Sequence, residues 1–301
     1  MKLRYHISDN FGDALNPIIF GRFLPGFFDE DPETLFLGIG SILGFKLPGK
    51  EVRKIVFSSG FAQGDTATYG KAPVIDKSFD VICVRGPLTA DVLGLPREKA
   101  VTDGAALLRK FEFLPVEKAF PVSYMPHIGS EVFFDWAGAC DKVGFHYISP
   151  RQNPMDIIRH IRQSEVIICE AMHGAIIADT VRVPWVPLKA YTTINEFKWR
   201  DWTASMNLDY HPHRLRSLYS REFLQKISQA KFLRLPSFFH ELSSTGYKIF
   251  QDLFFSPGTL QRFTSLQNEK PFLSEETVLD ERVEELLRRL ETVKAKYGKS
   301  R

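Results

Sequence analysis

Short apolar runs, each closed by a turn of small or polar residues, set the rhythm of the first two thirds of the chain. Leu3–Ile7 runs into Asn10-Phe11-Gly12-Asp13 and then an apolar-periodic stretch, Ala14–Leu24. Leu35–Ile39 overlaps Gly38/Gly40/Ser41, and Ile55–Phe57 ends at Ser58-Ser59-Gly60. Val81–Val84 meets Arg85-Gly86-Pro87, where Pro87 suits the first position of a helix reaching about Leu93. Val101 leads into Thr102-Asp103-Gly104. Strand, turn and helix alternating in this way predict parallel sheet with helices packed on it.

The stretch Lys110–Phe120 interrupts the alternation and reads as a linker. A second unit follows, with strands at Pro121–Met125, Phe145–Ile148, Val166–Cys169 and Trp185–Leu188 and helices at Met155–Arg162 and Gly174–Val181. These patterns divide the chain into an N-terminal α/β domain over 1–115, a C-terminal α/β domain over 116–215 and a helical tail over 216–301. A cleft between two such halves is the natural ligand site. The tail is basic and Phe-rich, and its last helix places Val283, Leu286, Leu287, Leu290 and Val293 on one face. Packing on the core is the ordinary use of such a face; docking on a membrane surface is the other.

Composition narrows the class. The 301 residues carry a net charge of +3, too weak a balance to point to nucleic acid, but compatible with a small anionic substrate or peripheral contact with an acidic membrane face. No apolar run approaches the ~20 residues that span a bilayer, and MKLRYHISDNFGD is not an apolar leader, so a cytoplasmic protein is expected. Cys83, Cys140 and Cys169 form no CxxC pair and read as buried, reduced thiols.

Candidate chemistry gathers at the strand ends. In Cys169-Glu170-Ala171-Met172-His173-Gly174-Ala175 a buried strand stops and a helix starts, offering free backbone N–H groups to a phosphate or carboxylate. His173 stands at that mouth as an anion ligand, a proton donor, or a cap of the turn. Arg85 leaves its strand just before a helix and fits either a bidentate anion grip or a salt bridge tying sheet to helix. In Asn10-Phe11-Gly12-Asp13, Gly12 allows close backbone approach and Asn10 and Asp13 suit sugar hydroxyls, although an N-cap turn explains them equally. His127 is a second candidate acid/base group, and Lys189 a phosphate partner or a surface lysine. Asp103 and Glu170 are candidate bases or helix caps. Lys198-Trp199-Arg200-Asp201-Trp202 suits stacking on a sugar ring, or a half-buried lid. A P-loop and zinc spacings are absent, and Gly38-Ile39-Gly40 lacks the third glycine of a dinucleotide fingerprint.

Taken in order, Asn10–Asp13, Gly38–Ser41, Val84–Thr89, Asp103-Gly104 and Met172–Ala175 resemble the polysaccharide pyruvyltransferase family, in particular the ketal pyruvyltransferases of exopolysaccharide operons. The resemblance spans about residues 8–190. It implies a GT-B-like fold, two Rossmann-type domains facing across a cleft, and transfer of pyruvyl from phosphoenolpyruvate to a sugar with release of phosphate. It implies no metal and no organic cofactor, phosphoenolpyruvate being a substrate, and a saccharide acceptor that is either lipid-linked or free. Carried over residue by residue, it matches an anion-binding Arg to Arg85, a His at the second helix start to His173 and a later Lys to Lys189; with these, the residues themselves suggest catalytic roles for His173, Arg85 and Asp13. Donor binding falls to Arg85, His173, Gly174 and Lys189, and acceptor binding to Asn10, Asp103, His127 and Trp199. The family often has Arg two residues before the His; Ala171 stands there, leaving Arg85, Arg182 or Lys189 to carry the charge. The rival readings are a GT-B glycosyltransferase using a nucleotide sugar and a non-catalytic saccharide-binding subunit.

Overall fold

The computed structural model describes residues 1–64, 66–229, 246, 249 and 256–298. Four strands, β1 (Lys2–Arg4), β2 (Thr34–Leu37), β3 (Arg53–Ser59) and β4 (Phe79–Val84), form a wholly parallel sheet in chain order. Helix α1 (Phe11–Phe23) links β1 to β2, α2 (Thr66–Tyr69) lies between β3 and β4, and α3 (Pro87–Val92) follows β4. β3 is buried along six of its seven residues. This is why it reads as a continuous apolar run and not as an alternating one.

The second sheet is also parallel, ordered β6-β5-β7-β8-β9. Its strands are β5 (Phe120–Met125), β6 (His146–Tyr147), β7 (Ser164–Cys169), β8 (Trp185–Lys189) and β9 (His213–Arg214). Between them run α4 (Trp136–Val143), α5 (Pro154–Arg162), α6 (Met172–Thr180) and α7 (Glu196–Ser205). The strand order reverses beside β5, as in a doubly wound sheet, whereas the first sheet has no reversal. The helix starts are well specified. Asp135 accepts from the Gly138 N–H at 2.9 Å for α4, Asn153 precedes Pro154 and accepts from Met155 for α5, and Asn195 accepts from the Lys198 N–H at 3.3 Å for α7.

One apolar core runs through both halves. Phe11, Leu15 and Ile19 of α1 belong to it with Ile157, Ile158 and Ile161 of α5, Ile176 of α6 and Leu107 of the 3₁₀ turn Gly104–Lys110. Pro17 sits inside α1 and cannot donate to the Asp13 carbonyl. The buried Asn16 amide replaces that bond, donating to Asp13 O at 3.1 Å, and also clamps Ile39 at the end of β2 through both backbone groups.

The chain then returns. The C-terminal helix Glu276–Tyr297 buries Leu279, Val283, Leu286, Leu290 and Val293 on the Gly104–Lys110 turn and on β4, with Leu287 half-buried beside them. Arg109 pairs with Glu276 and Asp280, Lys110 with Glu284 at 2.7 Å, and Lys296 with Asp80 at 2.7 Å. The apolar face of this helix is therefore core. The expected helical, Phe-rich character of residues 230–245 and 250–255, apart from Gly246 and Ile249, lies outside the described residues. All three cysteines are free and buried, and no described helix is long and apolar enough to cross a membrane.

Candidate active site

The C-terminal ends of β1, β2, β5 and β7 open into one cleft of about 320 Å³ between the two sheets. A parallel sheet places ligands there, because the strand-end loops and following helix starts converge at that edge. The loop after β1 supplies His6, Ser8, Asn10 and Asp13; the loop after β2 supplies Ser41 and Phe45. The β5 loop contributes His127 to Gly129, the start of α6 contributes Met172 and His173, and Tyr69 and Lys198 close one side.

His173 is the centre of the arrangement. It sits in the first turn of α6, whose N-cap Ala171 has no capping side chain, so the helix start offers its N–H groups toward the cleft. Its ring lies flat against α1: a Cβ at Gly12 would overlap the imidazole. Behind the ring stands Asp103, fully buried, with Oδ1 accepting from the Ala105 N–H at 3.0 Å and Oδ2 lying 3.7 Å from His173 Nε2. Neither Oδ2 nor Nε2 has a hydrogen-bond partner among the described residues. Burial pulls the His173 pKa below its ordinary value; the carboxylates of Asp103 and Asp13 act against that, and the nearby Arg85 and Lys198 reinforce it.

Asn10 and Asp13 do line the cleft together. Asp13 Oδ2 accepts from Ser8 Oγ at 2.8 Å and from Asn10 Nδ2 at 3.1 Å, a hydrogen-bonded edge with the carboxylate turned to the opening. His127 lines the opposite wall. Its Nδ1 accepts from the Gly129 N–H at 3.1 Å, so its neutral ring carries the proton on Nε2. Burial, helped by the Lys198 charge, lowers its pKa to about 3.

Other expected site residues stand elsewhere. Arg85 is fully buried one layer behind the wall, spending its guanidinium on Asp201 (Nε, 2.9 Å), Ser41 Oγ (2.8 Å) and Phe61 O (2.8 Å). Asp201 in turn accepts from the Thr89 N–H at 2.9 Å and Thr89 Oγ1 at 2.6 Å. Of the two readings open for Arg85, this is the salt bridge, here joining the first sheet to α7; it touches the cleft only through Ser41. Asp103 reaches the cleft only through His173. Lys189 is paired with Glu196 at 2.5 Å, off the cleft. Gly174 serves packing, since a Cβ there would press on Met125 Sδ and Cys169 Sγ. Trp199 is a core residue stacked on Tyr210, so it presents no face to a sugar. Glu170 is buried and ties two strand ends, accepting from the Ala190 N–H at 2.9 Å and the His127 N–H at 3.3 Å; burial raises its pKa. Arg182 donates to the Ser274 carbonyl at 2.7 Å.

Several cleft residues were not singled out in the sequence: His6, Ser8, Phe45 and Tyr69, while Ser41 entered only as part of the Gly38–Ser41 stretch. Lys198 appeared there only as a neighbour of two indoles. Trp199 and Trp202 define the buried face of α7, and Asp201 seats under Arg85, which turns Lys198 one turn earlier into the cleft. Glycines in the motifs share a role. Gly60 leaves room for the Arg85 guanidinium, Gly86 for the Asp201 backbone, Gly104 for Ser58 and Gly12 for His173. Among the described residues no cluster of three or more His, Cys, Asp or Glu side chains could hold a metal ion.

Two parallel sheets meeting at a cleft, with an imidazole at a helix start, define an α/β protein. The polysaccharide pyruvyl transferase family model matches residues 26–190, and the chain belongs to that family. It is similar to the succinoglycan biosynthesis protein ExoV of Rhizobium meliloti (strain 1021), with 41% identity over 209 residues. That match covers 68% of this chain and 64% of the relative's length.

Proposed function

We propose that this chain transfers the pyruvyl group of phosphoenolpyruvate to a sugar residue of an exopolysaccharide or its precursor, closing a pyruvate ketal and releasing phosphate. The two sheets then correspond to the facing halves of a GT-B-like enzyme, residues 1–115 and 116–215, working on a cytoplasmic, free or lipid-linked saccharide. The observation that carries this reading is His173, held at the start of α6 between Gly12 and Asp103 and open to the cleft.

The chemistry follows from that placement. Protonation of the donor's methylene carbon by the His173 imidazolium makes the adjacent carbon electrophilic. A sugar hydroxyl bonds to that carbon, giving its proton to Asp13. The carbon–oxygen bond to phosphate breaks, the electron pair leaving with phosphate, and a second hydroxyl of the same sugar closes the ring, its proton passing to the departing phosphate. The Asp103 carboxylate, with Oδ2 3.7 Å from His173 Nε2, stabilises the charged imidazole by its field, a positioning role. Burial lowers the His173 pKa, and the negative charge of a bound dianion would act against that as Asp103 and Asp13 do.

Phosphorus NMR of the protein with phosphoenolpyruvate and short or lipid-linked oligosaccharides tests the assignment. Inorganic phosphate should appear only with an acceptor, and His173→Ala should abolish it. Nucleotide release from a nucleotide sugar, with phosphoenolpyruvate left intact, overturns it.

A further inference from the structure

A substrate carrying phosphate and carboxylate needs a fixed positive charge in the cleft, and the candidate cations sort themselves by what they already hold. Arg85 is closed off by Asp201, Ser41 and Phe61. Lys189 is paired with Glu196, and Arg151 is tied to Asp9 and Glu131. Among the described residues one lysine or arginine lines the cleft, and it is Lys198.

Its surroundings are those of a held, unneutralised charge. Lys198 Nζ donates to the Tyr69 hydroxyl at 2.7 Å and lies 4.7 Å from the Tyr69 ring centroid. No described carboxylate lies within ion-pair reach of it. The helix that carries it cannot easily turn away: Asn195 caps its first turn, Trp199 and Trp202 are buried in the core, and Asp201 is locked to Arg85 and Thr89. The ammonium therefore faces the same space as His127 and His173, and its charge bears on both rings. Lys198 also lies beyond the family-matched residues 26–190.

We propose that Lys198 is the residue that binds the anionic group of the substrate, exchanging its hydrogen bond to the Tyr69 hydroxyl for phosphate or carboxylate oxygens. His127 Nε2–H and the start of α6 complete the cradle. The donor's identity rests on the pyruvyl-transfer reading; the anion site does not.

Two arms separate the two claims. In the first, inorganic phosphate is titrated into the full chain by calorimetry. Lys198→Ala should weaken binding at least tenfold, equivalent to about 1.4 kcal/mol, Lys198→Arg should recover most of it, and Tyr69→Phe should bind at least as well as the unmodified protein. Lys198→Gln serves as a second variant, and thermal midpoints check that all fold. A loss below fivefold, no recovery with Arg, or no phosphate binding by the unmodified protein overturns the proposal. In the second arm, phosphoenolpyruvate turnover is followed. A KM raised in Lys198→Ala with kcat nearly kept, and recovered in Lys198→Arg, supports both claims. Phosphate binding that depends on Lys198 without any turnover overturns the pyruvyl reading and leaves the anion site standing.

Discussion

Arg85 offers the sharpest test of the architecture. Replacing it with Met removes a guanidinium that is fully buried and leaves the Asp201 carboxylate buried with only Thr89 for company. Breaking one member of a buried ion pair costs roughly 3–5 kcal/mol, because the survivor keeps its desolvation penalty. The Phe61 carbonyl, left without its donor, adds about 1 kcal/mol more. Arg85→Met should therefore lower the unfolding free energy by roughly 4–6 kcal/mol in urea titration. Adding Asp201→Asn removes the second charge while keeping a carbonyl oxygen for the Thr89 N–H, and should restore more than half of the loss. The double variant should still bind phosphate, since Lys198 is untouched. If Arg85→Met instead unfolds within about 1 kcal/mol of the unmodified protein while its phosphate affinity collapses, Arg85 is a donor ligand and the reasoning fails.

Asp103→Asn removes the carboxylate that opposes the lowering of the His173 pKa, so the limb of kcat/KM that falls with rising pH should move to lower pH; an unmoved limb excludes the pairing. Gly12→Ala should displace the His173 ring and cut kcat at least tenfold with little change in phosphate affinity, read by steady-state kinetics and calorimetry. Acid should destabilise the fold through His127. Its folded pKa of about 3 lies below the unfolded value of 6.5, so the unfolded chain binds the extra proton and stability is lost as pH falls from about 6.5 toward 3. The buried His127 thus adds a slope of up to about 1.4 kcal/mol per pH unit, with His146 and His160 acting in the same direction, and His127→Gln should flatten it by about one proton.

What could be read from the chain alone follows from how local each signal is. The central strands β3, β4, β7 and β8 carry continuous apolar runs because neither face of their buried stretches meets water, and His173, Asn10 and Asp13 stand at turns beside strand ends. β9 has two residues and no apolar signature, so it was not foreseen. Arg85 remained open between two uses because its partner Asp201 is 116 residues away, a separation no local pattern encodes. Trp199 suggested a stacking platform for the same reason: indoles at a three-residue spacing fit an exposed face or a buried one, and only the tertiary packing around Trp185 and Tyr210 decides it. The same decision turned Lys198 into the cleft.

The vacated volumes at Gly12, Gly60 and Gly86 constrain how this cleft can change over time. Each belongs to a pair whose other member fills it, so a lone replacement on either side meets either a collision or a void. Diversification by single steps is blocked along the inner wall, where His173 and the Arg85–Asp201 brace stand. His6 and Phe45, at the outer wall, meet no such matched glycine, whereas the Tyr69 backbone fills the space at Gly44; Phe45 and Tyr69 stack with rings parallel to within 3°. A cleft built this way can have its rim rewritten residue by residue while its inner wall stays fixed.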